Sequence, residues 1–194
     1  MKILIVRPWP SVLDVTKNTY NIQEVGLAKA LVKRGHPTDI LFWTDGDEMT
    51  VKVEVEGAKP INVFYRHGKV LLKNVWFGGQ EKLFAQYDVL QTAEYNQMFS
   101  WHLAGKYPEK TVVYHGPYYS PFNKNYNRMC RVFDALFVGR YRRCGTRFLT
   151  KSELARKFLL EKRLSPEQVT TVGVGIDAEL LRDRPDAGQT ELEQ

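Results

Sequence analysis

Two cysteines among 194 residues, Cys130 and Cys144, are too few for a disulfide framework, and their spacing of fourteen fits no zinc pattern. Both read as reduced thiols of a cytoplasmic protein. Long apolar runs are equally scarce. The opening Met1-Lys2-Ile3-Leu4-Ile5-Val6-Arg7-Pro8 holds four apolar residues in a row, whereas a signal peptide needs about 7–15 and a spanning helix about 20. Neither is expected. No two of the four histidines have the spacing of metal ligands, so no metal site is expected. No Gly-x-Ser-x-Gly elbow presents a serine nucleophile, which argues against a covalent hydrolase.

What is present is near the globular average: 43% hydrophobic and 26% charged residues, in a length that suits one domain with a full core. The net charge of +6 is uneven. Residues 123–163 carry twelve basic and three acidic side chains, a local excess of +9, so the remainder sums to −3. The simplest reading is a solvated helical face. The sharper ones are contact with an anionic membrane surface, a phosphorylated ligand or nucleic acid. Tyr126, Phe133, Phe137 and Tyr141 interleave the stretch, but Phe133 and Phe137 stand four apart, as core contacts of one helix do. With no nucleic-acid signature, nucleic acid is not expected as a partner.

The order of elements is more telling. Residues 2–7 form a short apolar run ending at Pro8, the pattern of a strand buried on both faces. Residues 18–34 read as a helix, with Asn18, Thr19 or Asn21 as cap, Lys33 and Arg34 in the last turn, and Gly35 in the left-handed position after it. A second buried strand covers 39–43. Strand, helix, strand in sequence implies a right-handed crossover and a parallel sheet. Further strands are expected at 51–56, 61–65, 70–72, 88–92, 111–114, 146–149 and 169–174. Helices are expected at 96–104, over most of 123–143, and after a capping box at Thr150-Lys151-Ser152-Glu153. The expectation is an α/β, three-layer, Rossmann-like domain with a mostly parallel sheet.

In such a sheet ligands bind beyond the carboxyl ends of the strands. The first such loop, residues 8–17, contains no glycine. It is therefore neither a dinucleotide fingerprint nor a P-loop, which excludes NAD-dependent chemistry and ATP hydrolysis on that motif. Lys17 can still meet an anion near the helix start. His115 ends a strand and precedes Gly116-Pro117, a turn that would expose its ring, and Tyr118, Tyr119 and Asn123 follow. An imidazole there can donate or accept near neutral pH. Glu94, flanked by Thr92 and Tyr95, could act as a base, accept a sugar hydroxyl or cap a helix. His36, His67 and His102 are read as structural.

The opening MKILIVRP, the segment NIQEVGLAKALVKRGH at 21–36, TDILFW at 38–43, TVVYHGPY at 111–118 and the run TRFLTKSELARKFLLEKRLSPEQVTTVGVGID at 146–177 stand in a familiar order. Together they resemble the N-terminal domain of family 4 glycosyltransferases of the GT-B fold. The resemblance implies two Rossmann-like domains facing a cleft, and retaining, metal-independent transfer from a nucleotide-sugar to a glycan or lipid-linked acceptor. Cell-surface polysaccharide synthesis is the expected setting. It implies that His115 is catalytic, contacting the donor sugar or positioning the acceptor. Lys17, Asn18, Thr19, Glu94, Tyr95, Tyr118, Tyr119 and Asn123 are then the acceptor or substrate contacts. Asn18 or Thr19 would stand in for the family's glycine-rich loop.

Residues 1–180 would be the acceptor-side domain and 181–194 the start of a polar linker. The family's nucleotide-sugar domain has no counterpart here, so this stretch alone is expected to be inactive and to bind no cofactor. The +9 segment would then favour peripheral association with the inner face of an anionic membrane. Two other readings are a sugar-nucleotide 2-epimerase half and a non-catalytic flavodoxin-like binding module.

Overall fold

A computed structural model describes residues 1–17, 22–71 and 73–175. The chain order is β1 (Ile3–Val6), α1 (Gln23–Lys33), β2 (Thr38–Trp43), β3 (Met49–Val53), β4 (Ile61–Arg66), β5 (Lys69–Leu71), β6 (Asn74–Trp76), α2 (Glu81–Phe84), β7 (Val89–Ala93) and α3 (Met98–Lys106). It continues with β8 (Thr111–His115), α4 (Lys124–Leu136), α5 (Val138–Arg143), β9 (Arg147–Thr150), α6 (Glu153–Glu161), a 3-10 turn (Pro166–Gln168) and β10 (Val169–Thr171). Eight strands form one sheet in the order β10-β9-β8-β7-β1-β2-β4-β3. All neighbours are parallel except β3 on β4 at one edge. The expected α/β architecture with a mostly parallel sheet flanked by helices is what forms.

The alternation of β1 explains the layers. Ile3 and Ile5 pack with Ala28 and Val32 of α1, while Leu4 and Val6 point the other way, into the cluster of Phe99 and Leu103 from α3. A strand covered on both faces must be apolar at every position, which is why residues 3–6 read as a continuous run. Each such side chain contributes about 1.5–3 kcal/mol on burial. A third cluster, under α4, α5 and α6, gathers Phe133, Tyr141, Phe148 and Phe158. Connections after β1 run toward β2 and β4, and the chain then returns to β7 on the other side of β1. The switch point, where such sheets bind ligands, lies between β1 and β7.

Several local expectations need correction. Helix α1 starts at Gln23 after Ile22, which offers no side-chain cap; Asn18, Thr19 and Asn21 lie outside the described residues. The cap of α6 is Ser152, whose Oγ accepts from the Ala155 N–H at 3.1 Å, and Thr150 belongs to the strand instead. The expected long helix breaks at Phe137 (φ −123°) into α4 and α5. The Phe137 carbonyl there accepts from the Trp101 indole N–H at 3.0 Å, a partner no helix periodicity reveals. The β5–β6 hairpin shares its first strand only in part with the expected 70–72, and α2 carried no clear signal. Among the described residues no helix is long and apolar enough to cross a membrane.

Candidate functional site

At the carboxyl ends of β1 and β9 lies an open groove of about 770 Å³. Its lining comes from the loop after β1 (Arg7, Trp9, Pro10, Ser11, Leu13), the start of α1 (Gln23, Glu24), the β5–β6 turn (Lys73) and the first residue after β9 (Lys151). Three cations thus face one carboxylate. Glu24 holds Arg7 by an ion pair of 3.2 Å and sits in the first turn of α1, where a negative charge suits the helix dipole. Lys151 lies over the Tyr114 ring at 4.9 Å and comes within 3.9 Å of Glu94. Its path crosses Gly116. A Cβ on that glycine would meet Lys151 Cδ at 2.6 Å, so a larger residue there would displace the lysine from its present path.

Behind Lys151 stands a carboxylate–imidazole pair. Glu94 adopts a left-handed backbone (φ +60°), a conformation that costs a non-glycine residue about 1–2 kcal/mol. That turn brings its carboxylate to the end of β8. There Glu94 Oε2 lies 2.7 Å from His115 Nδ1 and accepts from the Gly116 N–H at 3.3 Å. A carboxylate accepts, so the contact assigns the Nδ1 hydrogen to Glu94 and leaves Nε2 as the second ring nitrogen. Nε2 is buried and has no hydrogen-bond partner among the described residues. Leaving such an atom unpaired costs about 1–3 kcal/mol, a cost that a substrate hydroxyl would remove. The ring itself stacks on Phe158 (5.5 Å between centroids, 26° between planes) and meets the edge of Tyr95 at 5.2 Å.

Burial corrects the expectation of an exposed ring: His115 is 0% exposed. In β8, Thr111, Val113 and His115 share the inward face at period two, and that parity turns the imidazole under the rim rather than above it. Tyr95, expected at the rim, is also fully buried, against Phe133 and Phe158. Burial first, then the Cys130 contact, raises its phenol far above the ordinary value. It stays protonated and donates to Asp134 Oδ1 at 3.1 Å. Glu94 caps no helix, since α3 begins after Gln97 without a side-chain cap.

The remaining candidates scatter. Tyr119 is half-buried and its hydroxyl donates to Asp134 Oδ2 at 3.2 Å, whereas Tyr118 beside it is 44% exposed in the same loop. Asn123 caps α4, accepting from the Tyr126 N–H at 3.0 Å. Lys17 pairs with Asp14 at 3.3 Å on the surface. The Thr16 hydroxyl, then its N–H, then Lys17 hold the Asp14 carboxyl down at about 2. Structure therefore brings Glu94 and His115 together and leaves Lys17, Tyr118 and Asn123 apart from them. Arg7, Lys73 and Lys151 were not among the expected contacts. Lys151 had a signal, being the first residue after a parallel strand; Lys73 had none, because a hairpin turn carries it to the rim.

Among the described residues no three His, Cys, Asp or Glu side chains are grouped to hold a metal ion. Residues 25–180 match the model of the family described as Glycosyltransferase Family 4. Comparison with curated proteins found no match.

Proposed function

The chain belongs to glycosyltransferase family 4, and from that premise we propose that residues 1–180 are the acceptor-side, Rossmann-like half of a retaining GT-B enzyme. Membership implies a nucleotide-sugar donor and an acceptor. We assign the acceptor to the glycan or lipid-linked class, the transferred group to the hexosyls, and the setting to cell-surface polysaccharide synthesis in the cytoplasm. Residues 181–194 then begin the linker to a second Rossmann-like unit that binds the donor. These 194 residues by themselves do not complete the transfer.

The observation that carries this reading is the buried Nε2 of His115, without a partner among the described residues, on the strand beside the one that sends Lys151 into a cationic groove. Glu94 fixes the ring, and a sugar hydroxyl reaches the buried Nε2 once the side chains packed over it move aside. Lys151, Lys73 and Arg7 meet the negative charge of the departing diphosphate. Tyr118, exposed on the loop after β8, offers a ring face to a sugar.

The test is release of nucleoside diphosphate from a panel of nucleotide-sugars by the enzyme carrying this domain. His115→Ala removes one hydrogen bond to a substrate hydroxyl, about 1.5 kcal/mol, and lowers turnover at least about tenfold with the fold retained. Unchanged turnover in a folded His115→Ala enzyme removes the imidazole from the site.

A further inference from the structure

Strand register puts Tyr114 and Lys151 on one side of the sheet. In the parallel pair β8–β9, Tyr114 stands opposite Leu149 and His115 opposite Thr150. Side chains alternate along a strand, so Lys151, two residues beyond Leu149, emerges on the face that carries the Tyr114 ring. The Lys151 N–H donates to the His115 carbonyl at 2.9 Å, which extends the ladder one step past β9 and fixes where the lysine begins. Its ammonium ends 4.9 Å from the centre of the Tyr114 ring, within cation–π range.

Tyr114 is anchored at both ends. Its backbone lies in β8, and its hydroxyl donates to the Gly173 carbonyl at 2.8 Å. Gly173 is itself held: its backbone is left-handed (φ +78°) just past β10, and its N–H donates to the Thr150 carbonyl at 3.2 Å. Burial, then Glu94, raises the phenol above the ordinary 10, so it remains a donor. The other group facing the ammonium is Glu94. His115 Nδ1 and the Gly116 N–H both meet Oε2 of that carboxylate, while Lys151 stands 3.9 Å from Oε1, beyond hydrogen-bond reach. An ammonium released from the ring closes on Oε1 and leaves the groove one cation poorer.

From this we infer that Tyr114 is a positioning residue: its ring, tied to Gly173, holds the Lys151 ammonium off Glu94 and in the groove, where it meets the anionic part of a ligand. The inference rests on the anion site of the proposed function and adds the residue that aims its lysine.

A double-mutant cycle with inorganic pyrophosphate as the probe tests it. Lys151→Gln lowers the affinity about tenfold, and Tyr114→Leu lowers it about fivefold. Tyr114→Leu/Lys151→Gln stays near tenfold rather than fiftyfold, because the ring acts only through the lysine. Tyr114→Phe keeps the ring but releases Gly173, and its effect falls between the parent and Tyr114→Leu. It also decides the cycle alone if Tyr114→Leu proves unfolded by circular dichroism. Losses that multiply in the double variant, or Tyr114 variants that bind like the parent, overturn the inference. The Lys151 ε-methylene shifts give a readout without ligand: the ring displaces them in the parent, and Tyr114→Leu returns them to ordinary lysine values. Shifts identical in both chains overturn the positioning role, whereas a parent that shows the displaced shifts yet binds no pyrophosphate overturns the anion site instead.

Discussion

Lys162 is the least expected charge in the core. Its side chain is 3% exposed and its ammonium lies 4.0 Å from the Phe158 ring centroid, 4.7 Å from Tyr119 and 5.0 Å from Tyr95. It pairs closely with Asp134, 22% exposed, which also accepts from the Tyr95 and Tyr119 hydroxyls. The two partners are not equivalent. Asp134→Ala strands a buried ammonium in an aromatic cage, a change that costs about 3–5 kcal/mol for buried pairs. Partial access of water at Asp134 sets the lower end, about 3 kcal/mol. Lys162→Met fills the same cage with an apolar chain of similar length and leaves Asp134 with two phenol donors, so its cost is about 1 kcal/mol or less. For a chain of this size those values correspond to melting shifts of about 6–12 °C and about 2–4 °C. Urea unfolding of both variants measures them directly. A Lys162→Met variant as damaged as Asp134→Ala would refute the reasoning, because the charge would then be worth more than the packing.

Three other outcomes follow from local geometry. Arg163 sits just past α6 with φ +60°, where glycine is the favoured residue, so Arg163→Gly stabilises the fold by about 0.5–1 kcal/mol in the same urea experiment. Burial, then Lys106 and Arg140, hold the His102 imidazolium below the ordinary 6.5, beside the Trp76 ring at 4.5 Å. Its folded value is the lower one, so its contribution to stability is present above pH 6.5 and is lost as pH falls below it; His102→Phe flattens that part of the profile. Glu94→Ala leaves the His115 Nδ1 hydrogen and the Gly116 N–H without their acceptor and destabilises by about 2–3 kcal/mol, read by thermal unfolding.

The architecture was legible because parallel strands buried on both faces announce themselves. Residues 3–6 and 40–43 are continuous apolar runs of the kind a strand buried on both faces needs, and Gly35, at φ +81°, marks the stop of α1 as expected. The site was legible only in part. His115 and Glu94 were named from their places at strand ends, and they do meet, although they lie 21 residues apart. Their exposure is not legible there: the turn after His115 suggests a ring above the rim, and the parity of β8 turns it inward. Tyr95 reads as a rim residue because nothing in the local sequence signals that α4 and α6 close over it. The Asp134–Lys162 pair spans 28 residues and joins α4 to the end of α6, a contact that no local spacing encodes.

Titration of the isotope-labelled chain with inorganic pyrophosphate, followed by amide chemical shifts, tests the assignment of the groove most directly. Shifts concentrated on Arg7, Glu24, Lys73, Gly116 and Lys151, and weakened by Lys151→Gln, are the expected result. Shifts confined to the opposite end of the sheet, at Lys2, Asp88 and Lys110, or to the outer face of α4, would contradict it.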